Sequence, residues 1–346
     1  MDNWTISESE FTPLKLNAKE TVFTIGNGYL GTRGTFEEGY PGEVAATFLH
    51  GVFDDVPIAF TELANTPNWL DLRVTIGGEM FRMDQGKLLF YQRDIDLHTG
   101  TLHRKVIWNM VSGKKIQLEF ERFTSLADEH ILGLRCQITS IDYSGPVEIR
   151  SSLPGHTDNT GWAHWNWKTQ GQDNNQNVFL CLETRATNIN LCEAFHLGLI
   201  NKSPLLQEYW DNHWSPEQVL EVNLQPGETA TVEKITTVFT SRDTADPKSA
   251  ALNLLNRACS CGYTALWEAN RKAWEREWEM SDITIEGDDE SDLALRYSLF
   301  QLLIAGPRQD DHVSIAAKTL SGFGYRGHTF WDTEIFILPF FTYTQP

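Results

Sequence analysis

The sequence has few basic residues for its length. Its 346 residues include 28 lysines and arginines against 47 aspartates and glutamates, which gives a formal charge of −19 at pH 7. A field of this sign repels nucleic acid and anionic membranes, so neither is expected as a partner. One small phosphate remains compatible with this charge, because a single local basic pocket suffices to hold it.

Cysteines and long apolar runs are also scarce. No stretch approaches the roughly 18 apolar residues of a membrane span, and the first residues do not resemble a signal peptide. The cysteines are odd in number and lack the C-x-x-C spacing of a zinc site, so we predict reduced thiols, no metal and a cytoplasmic location. The five cysteines are Cys136, Cys181, Cys192, Cys259 and Cys261.

Short β-like runs occupy the chain from about residue 20 to residue 240. They are separated by Gly, Asn and Asp, and no helical stretch lies between them. Such a pattern predicts an antiparallel sandwich and not a doubly wound parallel sheet. The clearest runs are residues 72–76, 105–108, 116–120, 147–150 and 232–238.

The pattern becomes helical near residue 243. Asp246 and Pro247 are typical of a helix start, and Gly262 is typical of the end of that helix. A second helix over about 263–280 has its packing face marked by Trp267, Trp274 and Trp278. A third helix begins near a group of acids after Gly287 and ends at Gly306-Pro307, with Leu293, Tyr297, Phe300 and Ile304 at helical spacing.

These patterns predict a mixed architecture in which β-structure precedes helices. We divide the chain into a β-domain at 1–243, a helical linker at 244–282 and the start of an all-helical domain at 283–346. The last region has room for only two or three helices of ordinary length. It is therefore expected to be incomplete.

Residues 26–31 (GNGYLG) match the dinucleotide-binding fingerprint G-x-G-x-x-G and follow a strand-like run. The fingerprint requires a helix that presents its N-terminus to a pyrophosphate. Here Gly34, Gly39, Pro41 and Gly42 stand where that helix would run. We therefore predict tight turns of the β-domain and no nucleotide site.

Residues 156–167 (HTDNTGWAHWNW) combine three tryptophans with hydrogen-bonding side chains. Three interpretations are open: a sugar-contacting loop, a plug at a domain interface, or an ordinary loop pinned by buried indoles. The two histidines are eight residues apart without an obvious third ligand, which disfavours a metal site.

A tryptophan and a carboxylate stand side by side at Trp331-Asp332, at the start of an apolar helix. An indole covers the C–H face of a sugar ring while a carboxylate accepts hydrogen bonds from its hydroxyls, so this pair suits sugar binding. A buried aromatic residue beside a helix-capping Asp is the competing interpretation. Asp332 and Glu334 are not expected to act as acid and base together, because residues two apart do not face each other on a helix.

Four segments together give the chain a resemblance to glycoside hydrolase family 65. That family holds inverting phosphorylases of maltose, kojibiose, trehalose and related α-glucosides, as well as acid trehalases. The resemblance covers essentially the whole chain in the right order. The segments are residues 27–34 (NGYLGTRG), 63–69 (LANTPNW), 287–288 (GD) and 324–334 (GYRGHTFWDTE).

The resemblance implies an N-terminal β-super-sandwich, a helical linker and the beginning of an (α/α)6 barrel. It places Trp331 and Asp332 at the subsite for the non-reducing glucose unit, with His328 and Glu334 as secondary substrate-binding positions. Phe323 stands where the family often has an acid. The family's general-acid glutamate lies more than a hundred residues after the Trp-Asp pair, beyond Pro346, and its phosphate-binding residues lie later still. No catalytic residue is therefore expected within this chain.

The implied activity is phosphorolysis of an α-linked glucose disaccharide, with inorganic phosphate as co-substrate and no cofactor or metal. The resemblance also makes a homodimer a reasonable expectation. Two alternatives remain: hydrolysis of the acid trehalase type, and a non-catalytic fragment that binds carbohydrate or docks as a scaffold. We expect the 346-residue chain by itself to be inactive.

Overall fold

A computed structural model of the protein describes residues 4–57 and 59–345. Most of the first 240 residues are strands, which are short at the start of the chain and long in its middle. In chain order they are β1 (Thr5–Glu8), β2 (Ile25–Gly26), β3 (Leu30–Thr32), β4 (Thr47–Leu49), β5 (Phe53–Val56), β6 (Phe60–Leu63), β7 (Arg73–Ile76), β8 (Glu79–Met80), β9 (Lys87–Asp96), β10 (Thr101–Asn109), β11 (Lys115–Thr124), β12 (Ile131–Ser140), β13 (Gly145–Ser152), β14 (Trp165–Gln172), β15 (Val178–Thr184), β16 (Asn190–Leu199), β17 (Leu206–Trp210), β18 (Glu217–Leu224) and β19 (Thr229–Thr240).

Helices dominate the chain after residue 240, and one short helix lies near its start. They are α1 (Leu16–Val22), α2 (Pro247–Cys261), α3 (Tyr263–Ser281), α4 (Asp289–Leu303) and α5 (Leu338–Thr344), with 3-10 turns at Pro13–Lys15 and Gly324–Gly327 and a π turn at Thr333–Ile337. Strands followed by helices is the architecture predicted, although α1 was not expected within the β-region. Among the described residues, no helix is long and apolar enough to cross a membrane.

The strands form two large antiparallel sheets. The first has the order β1-β9-β10-β11-β12-β19-β16-β15-β14 and the second has the order β17-β18-β13-β7-β8. Alternate residues of both sheets point into one apolar core, for example Val106 and Leu118 from the first sheet and Val74 and Ile149 from the second. The antiparallel sandwich predicted from the sequence is thereby confirmed.

The outer face of the nine-stranded sheet is covered by helices. Leu254 and Leu255 of α2 pack on residues of β15, β16 and β19. Trp274 and Trp278 of α3 pack on β9 and β10, and Trp267 donates its indole N–H to Thr101 Oγ1 at 3.1 Å. The tryptophan stripe is therefore a packing face, as predicted. The boundary at residue 243 stays a prediction.

The ends of α2 and α4 follow from local sequence. The Asp246 side chain accepts a hydrogen bond from Ser249 N, and Asp288 accepts one from Ser291 N in the same way. Both carboxylates satisfy amide groups that a helix leaves unpaired at its start. Gly262 then ends α2 with a φ of 80°, a conformation that glycine adopts without steric cost.

The expectation that all five cysteines are reduced is wrong for two of them. Cys181 of β15 and Cys192 of β16 lie directly opposite each other, with Cα atoms 4.2 Å apart, and they form a disulfide. Cys136, Cys259 and Cys261 are free thiols. Spacing along the chain did not reveal this pair, because strand pairing alone decides which residues face each other.

The carboxyl group of Glu43, which is half-buried, makes stability depend on pH. Burial, with Glu38 and Glu20 nearby, raises the pKa of Glu43 to about 8 from an ordinary value of 4.5. Because the folded-state pKa is raised, the group contributes stability that is complete below about pH 4.5 and is lost as pH rises through 8.

We therefore expect the Glu43→Gln variant to be more stable than the parent protein at pH 8, by roughly 2–4 kcal/mol, and nearly equal to it at pH 4. Urea unfolding at the two pH values measures this difference. A difference of equal size at both pH values would contradict ionisation of Glu43 as the cause.

Candidate functional site

Residues 324–334 form an unusual turn that leads into the last helix. Tyr325, Arg326 and Gly327 have φ angles of 54°, 58° and 78°, so three consecutive residues adopt the left-handed conformation. This conformation costs roughly 1–2 kcal/mol for a residue with a side chain. Contacts with the rest of the protein must therefore hold the turn.

The helix that carries the Trp-Asp pair starts at Trp331 and has a wide turn at Thr333–Ile337. In that turn the Leu338 N–H donates to the carbonyl five residues earlier. Pro339 explains the wide turn, because it has no N–H and its ring clashes with the carbonyl four residues before it. The proline thus sets the helix geometry next to the Trp-Asp pair.

Trp331 is exposed to solvent, whereas one carboxylate oxygen of Asp332 is buried. The Trp331 side chain is 69% exposed in this chain, so it is not a buried aromatic residue here. Asp332 makes no side-chain hydrogen bond to cap the helix, and its buried Oδ1 has no hydrogen-bond partner among the described residues. An exposed indole can stack on a sugar ring, and an unsatisfied carboxylate oxygen can accept a hydroxyl hydrogen bond.

His328 and Glu334 line two separate clefts. The His328 ring borders a cleft of about 490 Å³, and its Nε2 lies 2.6 Å from Thr61 O. Since a carbonyl only accepts, Nε2 is the donor in this contact. Glu334 is exposed and borders a cleft of about 390 Å³ beside Leu338. Trp331 and Asp332 border neither cleft, so the four predicted residues do not share one cavity.

A third cleft, also of about 490 Å³, lies between the β-domain and the loop that follows α4. Burial lowers the pKa of His50, whose Nδ1 lies 2.8 Å from Gly28 O, and its Nε2 has no partner among the described residues. Burial, with Asp243 and Asp128 nearby, raises the pKa of Glu129 to about 7. No three His, Cys, Asp or Glu side chains of residues 4–57 and 59–345 are placed to hold a metal ion.

The glycine-rich segment 26–31 is a tight hairpin between β2 and β3, as predicted. Asn27 holds it by accepting from the N–H groups of residues 29 and 30. Gly28, with a φ of 86°, lies so close to the chain after α4 that a Cβ would sit 2.0 Å from Gly306 O. Gly31 likewise packs against Leu320. The glycines therefore allow close contact with the C-terminal segment.

Arg33 extends this contact. Its Nη1 donates to Ser321 O at 2.7 Å, and its Nη2 pairs with the buried Glu20 at 3.1 Å. Phe323 packs edge-on against Phe48 with ring centroids 5.2 Å apart. Residues around 320 are thus fastened to the β-domain from several directions before the turn at 324–327 begins.

The loop at 156–167 divides its tryptophans between two environments. Trp165 is buried and donates its indole N–H to Asn65 O at 2.7 Å, whereas Trp162 and Trp167 are exposed. The loop is therefore pinned by one buried indole. His164 is also buried, and its two ring nitrogens contact Asp54 and Glu62.

Two family models match the strand-rich and the helical parts of the chain, and both belong to the same family. Residues 6–277 match the description "Glycosyl hydrolase family 65, N-terminal domain", and residues 296–346 match the central catalytic domain of the same family. The chain belongs to glycosyl hydrolase family 65. The resemblance drawn from the four sequence segments is confirmed.

Family 65 relatives are similar along nearly the whole chain. Kojibiose phosphorylase of Halothermothrix orenii is 35% identical over 99% of this chain and 46% of its own length. Nigerose phosphorylase of Lachnoclostridium phytofermentans is 30% identical over 99% of this chain and 48% of its own length. A solved structure described as "Putative kojibiose phosphorylase from human microbiome" has a TM-score of 0.89 at 26% identity, covering 99% of this chain and 47% of that one. The chain thus spans less than half the length of these relatives.

Arg308 joins three segments of this family 65 chain, a role that the sequence patterns did not indicate. The guanidinium donates to Leu303 O, a carbonyl that the end of α4 leaves without a helical partner, to Gly306 O after the helix, and to Asn27 O of the hairpin. It also pairs with Glu277 of α3 at 3.1 Å. The only local signal was a cation shortly after a predicted helix end.

Proposed function

We propose that this chain supplies the glucose-recognition part of an inverting α-glucoside phosphorylase. Trp331 and Asp332 form the end of the site that holds the non-reducing glucose unit. The observation that carries this proposal is the exposed Trp331 indole beside the unsatisfied Asp332 Oδ1. The names of the kojibiose and nigerose phosphorylases among its relatives support an α-linked glucose disaccharide and phosphate as substrates.

In the proposed reaction a carboxylic acid protonates the glycosidic oxygen as its bond to the anomeric carbon breaks. Inorganic phosphate forms the new bond from the opposite face, which yields β-glucose 1-phosphate and the released sugar. Phosphate is already anionic at neutral pH, so no general base is needed. Trp331 covers the C–H face of the glucose unit, while Asp332 accepts its hydroxyl hydrogen bonds. His328 and Glu334 are proposed as secondary contacts.

We also propose that the proton donor lies outside residues 4–345. Asp332 and Glu334 are two positions apart on one helix, whereas groups that flank a glycosidic bond lie about 5–9.5 Å apart on opposite sides of it. Glu334 borders a cleft beside Leu338 that Trp331 and Asp332 do not line. The Trp-Asp pair therefore recognises sugar without supplying acid catalysis.

Sugar binding is the direct test. Kojibiose, nigerose, maltose and trehalose should each give saturation-transfer NMR signals with the 346-residue chain, because each ends in an α-linked glucose unit. Lactose, which ends in galactose, is the control and should give no comparable signal. Equal signals for all five sugars, or none for the four glucosides, would overturn the assignment of the pair.

The 346-residue chain should release neither glucose 1-phosphate nor glucose from these sugars, with or without phosphate. Loss of general acid catalysis alone costs about 10²- to 10⁴-fold in rate. Turnover on the ordinary enzymatic scale of about 1–10³ s⁻¹ would place the acid within this chain. Glucose release without phosphate would favour the hydrolase alternative over the phosphorylase.

A further inference from the structure

The left-handed turn before Trp331 is held by one strand of the β-domain. The His328 Nε2–H donates to Thr61 O at 2.6 Å, and the Arg326 guanidinium lies over the Phe60 ring. Gly327 packs so tightly on Leu63 that a Cβ would sit 2.3 Å from its side chain. All three partners belong to β6, so β6 fixes the backbone that leads into the Trp-Asp pair.

Strand β6 has little support from its own sheet. Within residues 4–57 and 59–345 it pairs only with β5, in a two-stranded sheet separate from the two large ones. A hairpin of two strands is marginally stable by itself. Something outside the hairpin must therefore keep β6 in place.

Two buried carboxylates lie across this hairpin. Asp54 of β5 and Glu62 of β6 are directly opposite each other in the strand register. Like charges in opposed positions destabilise a strand pair, and a buried position makes their repulsion stronger. Without a bridging group, these residues would push β6 away from β5.

His164 supplies that bridge. Its Nδ1 lies 3.0 Å from Asp54 Oδ2 and its Nε2 lies 2.9 Å from Glu62 Oε1, with the ring only 2% exposed. Each ring nitrogen thus lies within hydrogen-bonding distance of one carboxyl group, so the imidazole joins the two opposed side chains. The second oxygen of Asp54 accepts from the N–H groups of Ala186 and Thr187, which ties the hairpin to the turn after β15.

We propose that His164 is a positioning residue for glucose recognition. It joins the two strands of the β5–β6 hairpin, β6 holds the left-handed turn, and the turn sets the direction in which Trp331 and Asp332 leave the β-domain. The effect of His164 on sugar binding rests on the proposed function. The mechanical part of the proposal, which is the chain of contacts from His164 through β6 to residues 325–328, is independent of that function.

Hydrogen exchange of the 346-residue chain tests the mechanical part. In His164→Gln the amide can donate to one carboxylate but presents its carbonyl oxygen to the other. Backbone amides of residues 325–334 should exchange at least about tenfold faster than in the parent chain, because local opening becomes easier. The matched control is His196→Gln, since His196 is a half-buried ring of β16 with Nδ1 3.2 Å from Asn177 Oδ1.

The control should leave exchange at 325–334 unchanged. If His164→Gln lowers the melting temperature but exchanges at 325–334 like the control, the residue is merely structural and the proposal is overturned. Should His164→Gln not fold, Glu62→Gln replaces it, because it retains the ring and its contact with Asp54. Faster exchange at 325–334 in Glu62→Gln would then support the proposal, and exchange equal to that of the control would overturn it.

Glucoside affinity separates this inference from the proposed function. If the parent chain binds kojibiose, His164→Gln should bind it about tenfold more weakly, since small misplacements of binding groups are costly. Unchanged affinity together with unchanged exchange would overturn the positioning role. If the parent chain binds no glucoside, the proposed function fails, and the exchange result alone still tests the link from His164 to the turn.

Discussion

Replacing both Trp331 and Asp332, in the variant Trp331→Ala/Asp332→Asn, should weaken glucoside binding by about 10²- to 10³-fold. A stacked aromatic ring contributes about 0.5–1.5 kcal/mol beyond the area it buries, and a hydrogen bond to a charged group contributes about 1.5–3 kcal/mol. Each single change should account for part of this loss. Titration of the chain with kojibiose, followed by NMR, measures the affinities.

Stability separates binding from folding in this experiment. Because Trp331 is 69% exposed, its removal should change the free energy of unfolding by no more than about 0.5 kcal/mol. Tyr343→Ala is the matched control, since this aromatic residue of the same C-terminal helix is 87% exposed. A drop in melting temperature for Trp331→Ala, or an equal loss of affinity for Tyr343→Ala, would contradict a specific sugar contact.

Arg104→Met should destabilise the β-domain by about 3–5 kcal/mol. The Arg104 guanidinium is buried, donates to Glu37 and Glu38 and lies over the Phe36 and Phe120 rings. Burial raises the pKa of Glu38, whereas Arg104 opposes that shift. Without the arginine, the Glu38 carboxyl would be buried without its countercharge.

Arg82→Met is the matched control for this prediction. Arg82 also pairs with a carboxylate through two nitrogens, at 2.5 and 2.7 Å from Asp84, but both groups lie at the surface. Such exposed pairs contribute about 0–1 kcal/mol. Urea unfolding of both variants measures the two costs. Equal effects would show that burial is not what makes the Arg104 cluster important, and adding Glu38→Gln to Arg104→Met should recover part of the loss.

The part of the candidate site that residues adjacent in sequence form could be predicted from the sequence. Trp331 and Asp332 are adjacent in sequence, so their combined chemistry was visible without a fold. The partners of His328 and His164 were not visible, because Thr61, Asp54 and Glu62 lie about a hundred residues or more away along the chain. Contacts at that distance depend on how separate strands and loops come together, which no local pattern encodes.

Local periodicity and capping determined much of the architecture from the sequence alone. The alternation in β7, β10, β11, β13 and β19 predicted strands, and Asp246, Pro247 and Gly262 marked the ends of α2, because both effects act within a few residues. The tertiary structure decided that Cys181 faces Cys192 and that the glycines of 26–31 receive the chain after α4. It also decided that a buried histidine joins two opposed carboxylates beneath the turn to Trp331. These features arise from strand register and close packing between distant segments, where a few ångströms of approach decide which groups meet.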